Sequence, residues 1–154
     1  MKQIVNLEEN KQLYLRRVNQ FYHLLKNWLA GKHFIFATAE HHFKDELGTY
    51  HGTKMTIEKE DKTLLAQLIP VGAKSMVGEG VIEIVNWLGQ EQIFYMPKPE
   101  QTITMPSGEQ IPILKGVKKE GWYWIEDPRT REAQMVDKKL WLKLITLVSD
   151  YEFV

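Results

Sequence analysis

A chain of 154 residues, 44% hydrophobic and 26% charged, has the length of one domain and a globular balance, which excludes intrinsic disorder and leaves residues 1–154 as a single unit. Lys and Arg equal Asp and Glu at 20 each, so no overall positive field draws the chain to nucleic acid. The absence of cysteine removes disulfides, thiolate nucleophiles and Cys-based zinc sites.

The opening "MKQIVNLEENKQLYLRR" lacks the apolar run of a signal peptide, and no later segment reaches the roughly 18 successive apolar residues of a membrane span. A cytoplasmic protein with no membrane partner is the expectation. Tyr14, Val18, Phe21, Leu25 and Trp28 recur at spacings of four, three, four and three, which predicts an amphipathic helix over 7–29. Asn6 would cap it, Glu8 and Glu9 would face its positive end, Lys26 and Lys32 its negative end, and Gly31 would stop it.

"HFIFATA" is too short for a second helix and reads as a strand. In "KMTIEKE" Met55 and Ile57 alternate with Thr56 and Glu58, "TLLAQLIPV" follows as a more buried strand, and the charged run 58–63 between them makes 53–71 an antiparallel hairpin. The glycine-rich "GAKSMVGEG" at 72–80 has neither P-loop nor dinucleotide spacing and reads as a connection. "GVIEIVNWLGQEQIFYM" predicts a second hairpin turning around Leu88-Gly89-Gln90.

"PKPEQTITMPSGEQIPI" predicts a third, protruding hairpin, whose Pro97, Pro99, Pro106 and Pro112 place it at a sheet edge and oppose strand addition there. "GWYWIEDP" is an aromatic strand with Trp122 and Trp124 on one side and Tyr123 and Ile125 on the other. Asp137 can cap a last amphipathic helix with a stripe of Leu140, Leu144, Leu147, Val148 and Tyr151, widened by Trp141 and Ile145.

Helix, strands joined by short turns, then helix describes an α+β fold with an antiparallel sheet of about six to seven strands, open or strongly curved and barrel-like.

Chemistry concentrates in "AEHHFKDELGTYH", residues 39 to 51. As a helix it would pair His41 with Asp45 and His42 with Glu46. As a strand it would put His41 with Phe43 on one side and His42 with Glu40 and Lys44 on the other. His41, His42 and Asp45 are the catalytic candidates, a histidine beside a carboxylate being able to act as general base. His41, His42, Glu46 and His51 are the candidate ligands of a divalent metal, the one cofactor the sequence leaves open. The stretch equally suits a polar connection. In "KGVKKEGWYWIEDPRTR", Trp122, Tyr123, Trp124, Arg129 and Arg131 are residue types that anchor protein interfaces, and interleaved acids weigh against single-stranded nucleic acid.

No catalytic motif is complete. The leading reading is therefore a small interaction or regulatory protein, such as a toxin inhibitor, an immunity protein or an accessory subunit, which binds a protein partner through an aromatic, charged sheet face. The alternatives are a metal-assisted or His/acid hydrolase using 39–51, and a carrier of a small ligand inside a curved sheet.

Overall fold

The computed structural model describes residues 2–45, 47–73, 78–97, 102–112 and 114–153, the side chains of residues 2–6, 103 and 112 excepted. Its elements are α1 (Lys2–Trp28), β1 (Ile35–Asp45), β2 (Gly48–Glu58), β3 (Leu64–Gly72), β4 (Val81–Asn86), β5 (Gly89–Met96), β6 (Thr102–Thr104), β7 (Gln110–Pro112), β8 (Gly121–Ile125), β9 (Ala133–Met135) and α2 (Lys138–Ser149). The fold is α+β, with a seven-stranded antiparallel sheet in the order β1-β2-β3-β4-β5-β8-β9 and a separate β6-β7 pair. β1 and β9 do not pair, so the sheet is open and forms no barrel. Among the described residues no helix is long and apolar enough to cross a membrane.

Helix α1 begins at Lys2, earlier than its apolar stripe suggests, because 2–6 contains neither glycine nor proline to stop it. Asn6 therefore lies inside the helix, not at its start. Gly31 does provide the exit, at φ +79°. Tyr14, Val18, Phe21 and Leu25 are buried, and Trp28 packs edge-on against Phe21 at 6.4 Å.

Strand β1 runs through the histidines and forms an eleven-residue ladder with β2, from Ile35↔Glu58 to Asp45↔Gly48. β2 meets β3 only from Met55 to Glu58, so Ala39–Asp45 and Gly48–Lys54 make a two-stranded ribbon extending beyond β3. Tyr50 and Met55 are both buried although five residues apart, hence on opposite sides of β2. The strong twist of a two-stranded ribbon reconciles them. Near its tip the ribbon lays Phe43 and Tyr50, stacked at 4.6 Å, onto Tyr14 of α1, while near its base Met55 and Ile57 enter the main core. Gly52 permits this approach: a Cβ there would come within 3.1 Å of Leu15.

The hairpin expected at 53–71 is the β2–β3 pair, turning through 59–63 with Lys59 N–H donating to the Thr63 carbonyl at 2.9 Å. The β4–β5 turn is Trp87-Leu88, closed by Asn86↔Gly89, slightly earlier than expected. The Asn86 amide fixes it there by donating to the carbonyls of Leu64 (3.0 Å) and Leu65 (2.8 Å) and accepting from Trp87 N–H (2.7 Å). The proline-punctuated hairpin is β6–β7, apart from the main sheet, so its prolines protect neither β1 nor β9. Pro99 and residues 74–77 of the glycine-rich connection lie outside the described residues.

The inner sheet face carries Leu68, Ile82, Ile84, Ile93, Trp122 and Trp124 against both helices. Asp137 caps α2, accepting from Leu140 N–H at 2.8 Å. Trp141 and Ile145 are fully buried, whereas Leu147 is exposed at the rim of the stripe. Met96, Leu114, Val117, Tyr123 and Ala133 form a second, smaller core.

Candidate functional site

Extended backbone sends His41, Phe43 and Asp45 to one side of the ribbon and Glu40, His42 and Lys44 to the other. His41 stacks on Phe43 at 5.2 Å. Partial burial, then the charges of Lys54 and His42, hold its pKa below the ordinary histidine value. Asp45 lies four strand residues away, about 13 Å along the backbone, and its oxygens accept from Tyr50 hydroxyl and Leu47 N–H, both at 2.8 Å. His41, His42 and Asp45 are thus not brought together as an acid/base group.

His42 does meet His51 across the ladder, ring centroids 4.5 Å apart, with a Glu40 carboxylate oxygen 3.9 Å from His42 Nε2. His41 is on the opposite side, and Glu46 lies outside the described residues. Among the described residues no group of three or more His, Asp or Glu gathers to hold a metal ion. Of the four sequence-predicted ligands the structure joins His42 and His51.

On the α1 side of the ribbon, Leu7, Asn10, Leu13 and Arg17 face Leu47, Ala73 and Gly78-Glu79 across a cleft of about 330 Å³, at the small end of ligand sites. Arg17 lies over the Tyr95 ring at 4.0 Å, 3.1 Å from Glu79 and 3.9 Å from Glu120. The Tyr95 hydroxyl donates to Glu120, and burial together with that bond pushes its pKa up to about 12. Two carboxylates compensate the guanidinium, so it offers little to an anionic substrate. Buried Trp122, Trp124 and Trp141 pack between the sheet and the helices.

The aromatic strand does not present the expected exposed face. Trp122 and Trp124 are 7% and 2% exposed, and Tyr123 is 1%. The pairing Ile93↔Trp124 and Tyr95↔Trp122 turns both indoles toward the helices, where Trp122 meets Phe21 at 5.6 Å and Trp124 Nε1–H donates to Glu91 at 2.9 Å. Tyr123 points into the second core. Arg129 is exposed and pairs with Asp127 of its own turn at 3.1 Å, a local contact of small energetic weight. Arg131 is exposed at φ +55°.

Alternation leaves a different set outside. Ile69, Glu83 and Gln92 form one rung across β3, β4 and β5 on the outer face, with Val85, Phe94 and Ile125 of β8 beside it, all partly or fully exposed. A shallow depression of about 550 Å³ is bordered by Phe94, Ile125 and Pro128. At the β4–β5 turn Trp87 is 78% exposed, next to exposed Leu88. Sequence reasoning missed this residue. The signal was "NWLG" between two alternating runs, a two-residue hairpin turn with an indole on its tip. Comparison with protein-family models, with curated proteins and with solved structures found no match for the chain.

Proposed function

We propose that the chain is an interaction or regulatory protein, of the kind that inhibits a toxin or serves as an accessory subunit, and that it binds a protein partner through the outer sheet face and the Trp87 tip. The exposure of Trp87 carries this reading. An indole that buries roughly 150–250 Å² on contact is held in water by a turn with no slack. Asn86 clamps that turn to β3, so little freedom remains to be lost on binding. Tryptophans in such settings are frequent hot spots, costing about 2 kcal/mol or more when truncated. A cytoplasmic location belongs to the same proposal. The hydrolase reading has less support, since its catalytic candidates point apart.

The test is quantitative co-purification from the native lysate with wild type, Trp87→Ala, Phe94→Glu and, on the exposed part of α1, His23→Ala. A stoichiometric partner retained by wild type and His23→Ala but lost by the other two, all with unchanged melting temperature, is the expected outcome. Equal recovery by Trp87→Ala, or no stoichiometric partner at all, removes the surface from consideration.

A further inference from the structure

The main sheet ends in two unlike edges. β9 is three residues long and followed closely by α2, and the residue before it, Glu132, bridges Lys115. β1 is eleven residues long and pairs with β2 without a bulge.

The outward backbone groups of β1 follow from the ladder. Lys59 N–H bonds Thr63 across the β2–β3 turn, so the odd-numbered residues of β2 direct their backbone groups toward β3 and the even-numbered ones toward β1. The carbonyls of Thr49 and Thr53 agree, accepting from Lys11 Nζ (3.4 Å) and Tyr22 hydroxyl (2.7 Å) of α1. Through the register Ile35↔Glu58 to Asp45↔Gly48, β1 then bonds β2 through its odd residues. Phe36, Thr38, Glu40, His42 and Lys44 turn N–H and C=O outward. Among the described residues no turn, loop or side-chain hydrogen bond reaches those groups.

Natural sheets protect such edges with proline, inward charge or a bulge, and "IFATA" at 35–39 has none of these. Ala37, Thr38 and Ala39 are all exposed, although successive side chains face opposite sides, so neither side of the sheet is covered there.

We propose that the occupant of this edge is a second copy of the chain, paired antiparallel along β1 about a two-fold axis at Ala39, so that two sheets become one. An axis at Glu40 would engage the whole strand but set Glu40 against its own copy, a destabilising like-charge pair. An axis at Ala39 opposes Thr38 to Glu40, Phe36 to His42 and Ile35 to Phe43, with no like charges facing and the uncharged half of the strand at the centre. Outward groups meet outward groups on four rungs. They supply about eight backbone hydrogen bonds, within the roughly 5–15 of a specific interface. A formal net charge of zero adds no long-range repulsion between copies.

Sedimentation velocity of wild type, Thr38→Glu and Thr38→Lys over the micromolar range tests both pairing and register. Each change meets Glu40 of the other copy twice by symmetry. Thr38→Glu should therefore weaken self-association about tenfold, and Thr38→Lys should leave it intact or tighten it. Hydrogen exchange supplies a readout without substitution: in wild type, amides of Thr38, Glu40 and His42 should gain protection as concentration rises. A monomeric wild type with concentration-independent exchange overturns the proposal. So does the reverse order of the two variants, which is what an axis at His41, facing Thr38 with Lys44, would give. Trp87→Ala should leave the association constant unchanged, which keeps this edge and the outer-face surface separable.

Discussion

Tyr14 places a hydroxyl in the core and there satisfies backbone that strand pairing has left unpaired. The β3–β4 register shifts between Pro70 and Gly72, and at that irregularity the Tyr14 hydroxyl accepts from Val71 and Gly72 N–H (3.1 and 3.2 Å) while donating to the Val81 carbonyl (2.5 Å). Tyr14→Phe would strand three backbone groups at once, two of them buried and the Val71 N–H partly so, and should cost on the order of 3 kcal/mol in urea denaturation. Tyr123→Phe, which removes a bond to the Lys119 carbonyl at 2.7 Å and a longer one from Lys119 N–H at 3.4 Å, both part-buried, should cost about 1 kcal/mol. Equal losses would contradict this account. Periodicity in the sequence places Tyr14 on the buried stripe correctly, yet its partners lie 57 to 67 residues away, beyond any local pattern. The histidines behave likewise. Alternation separates His41 from His42 once the segment is known to be extended, but only its ladder with β2 makes it so.

Elements that carry their own periodicity are the legible ones. α2 is an example, because its cap, Asp137, and its buried face are both written locally. Asp137→Ala should lower stability by about 1 kcal/mol, and Asp137→Asn, which keeps an acceptor for Leu140 N–H, should lower it much less. Thermal melts that fail to separate the two substitutions would argue against the cap. Boundaries set by distant partners are harder to read. The β4–β5 turn settles at Trp87-Leu88 because Asn86 bonds β3, and β1 extends to Asp45 because β2 pairs with every residue of it. The side of β8 that is buried was also not decidable locally: Trp122 and Trp124 share a face with Ile93 and Tyr95 only through pairing with β5.

Across the whole molecule, burial raises the hydroxyl pKa of Tyr14, Tyr22 and Tyr50 above the ordinary tyrosine value of about 10. Folding thus favours their protonated form. Their contribution is complete below pH about 10 and declines as pH rises further, because the unfolded chain loses those protons first. Alkaline titration should show tyrosinate absorbance from these residues appearing together with loss of secondary structure, in one transition above pH about 10. Release of all six tyrosine protons with the far-ultraviolet dichroism intact would refute this. The fold class was legible at this scale from the order of elements, and the openness of the sheet was not, since closure depends on whether β1 and β9 meet.

The bond from Tyr14 to Val81 also sets a schedule for synthesis. At about 5–20 residues per second, the 67 residues between them take roughly 3 to 13 seconds to translate. Until then Tyr14, Val18, Phe21 and Leu25 lack β4, β5 and β8, which complete the sheet they pack against, and the apolar helix face left incompletely covered is suited to capture by a chaperone.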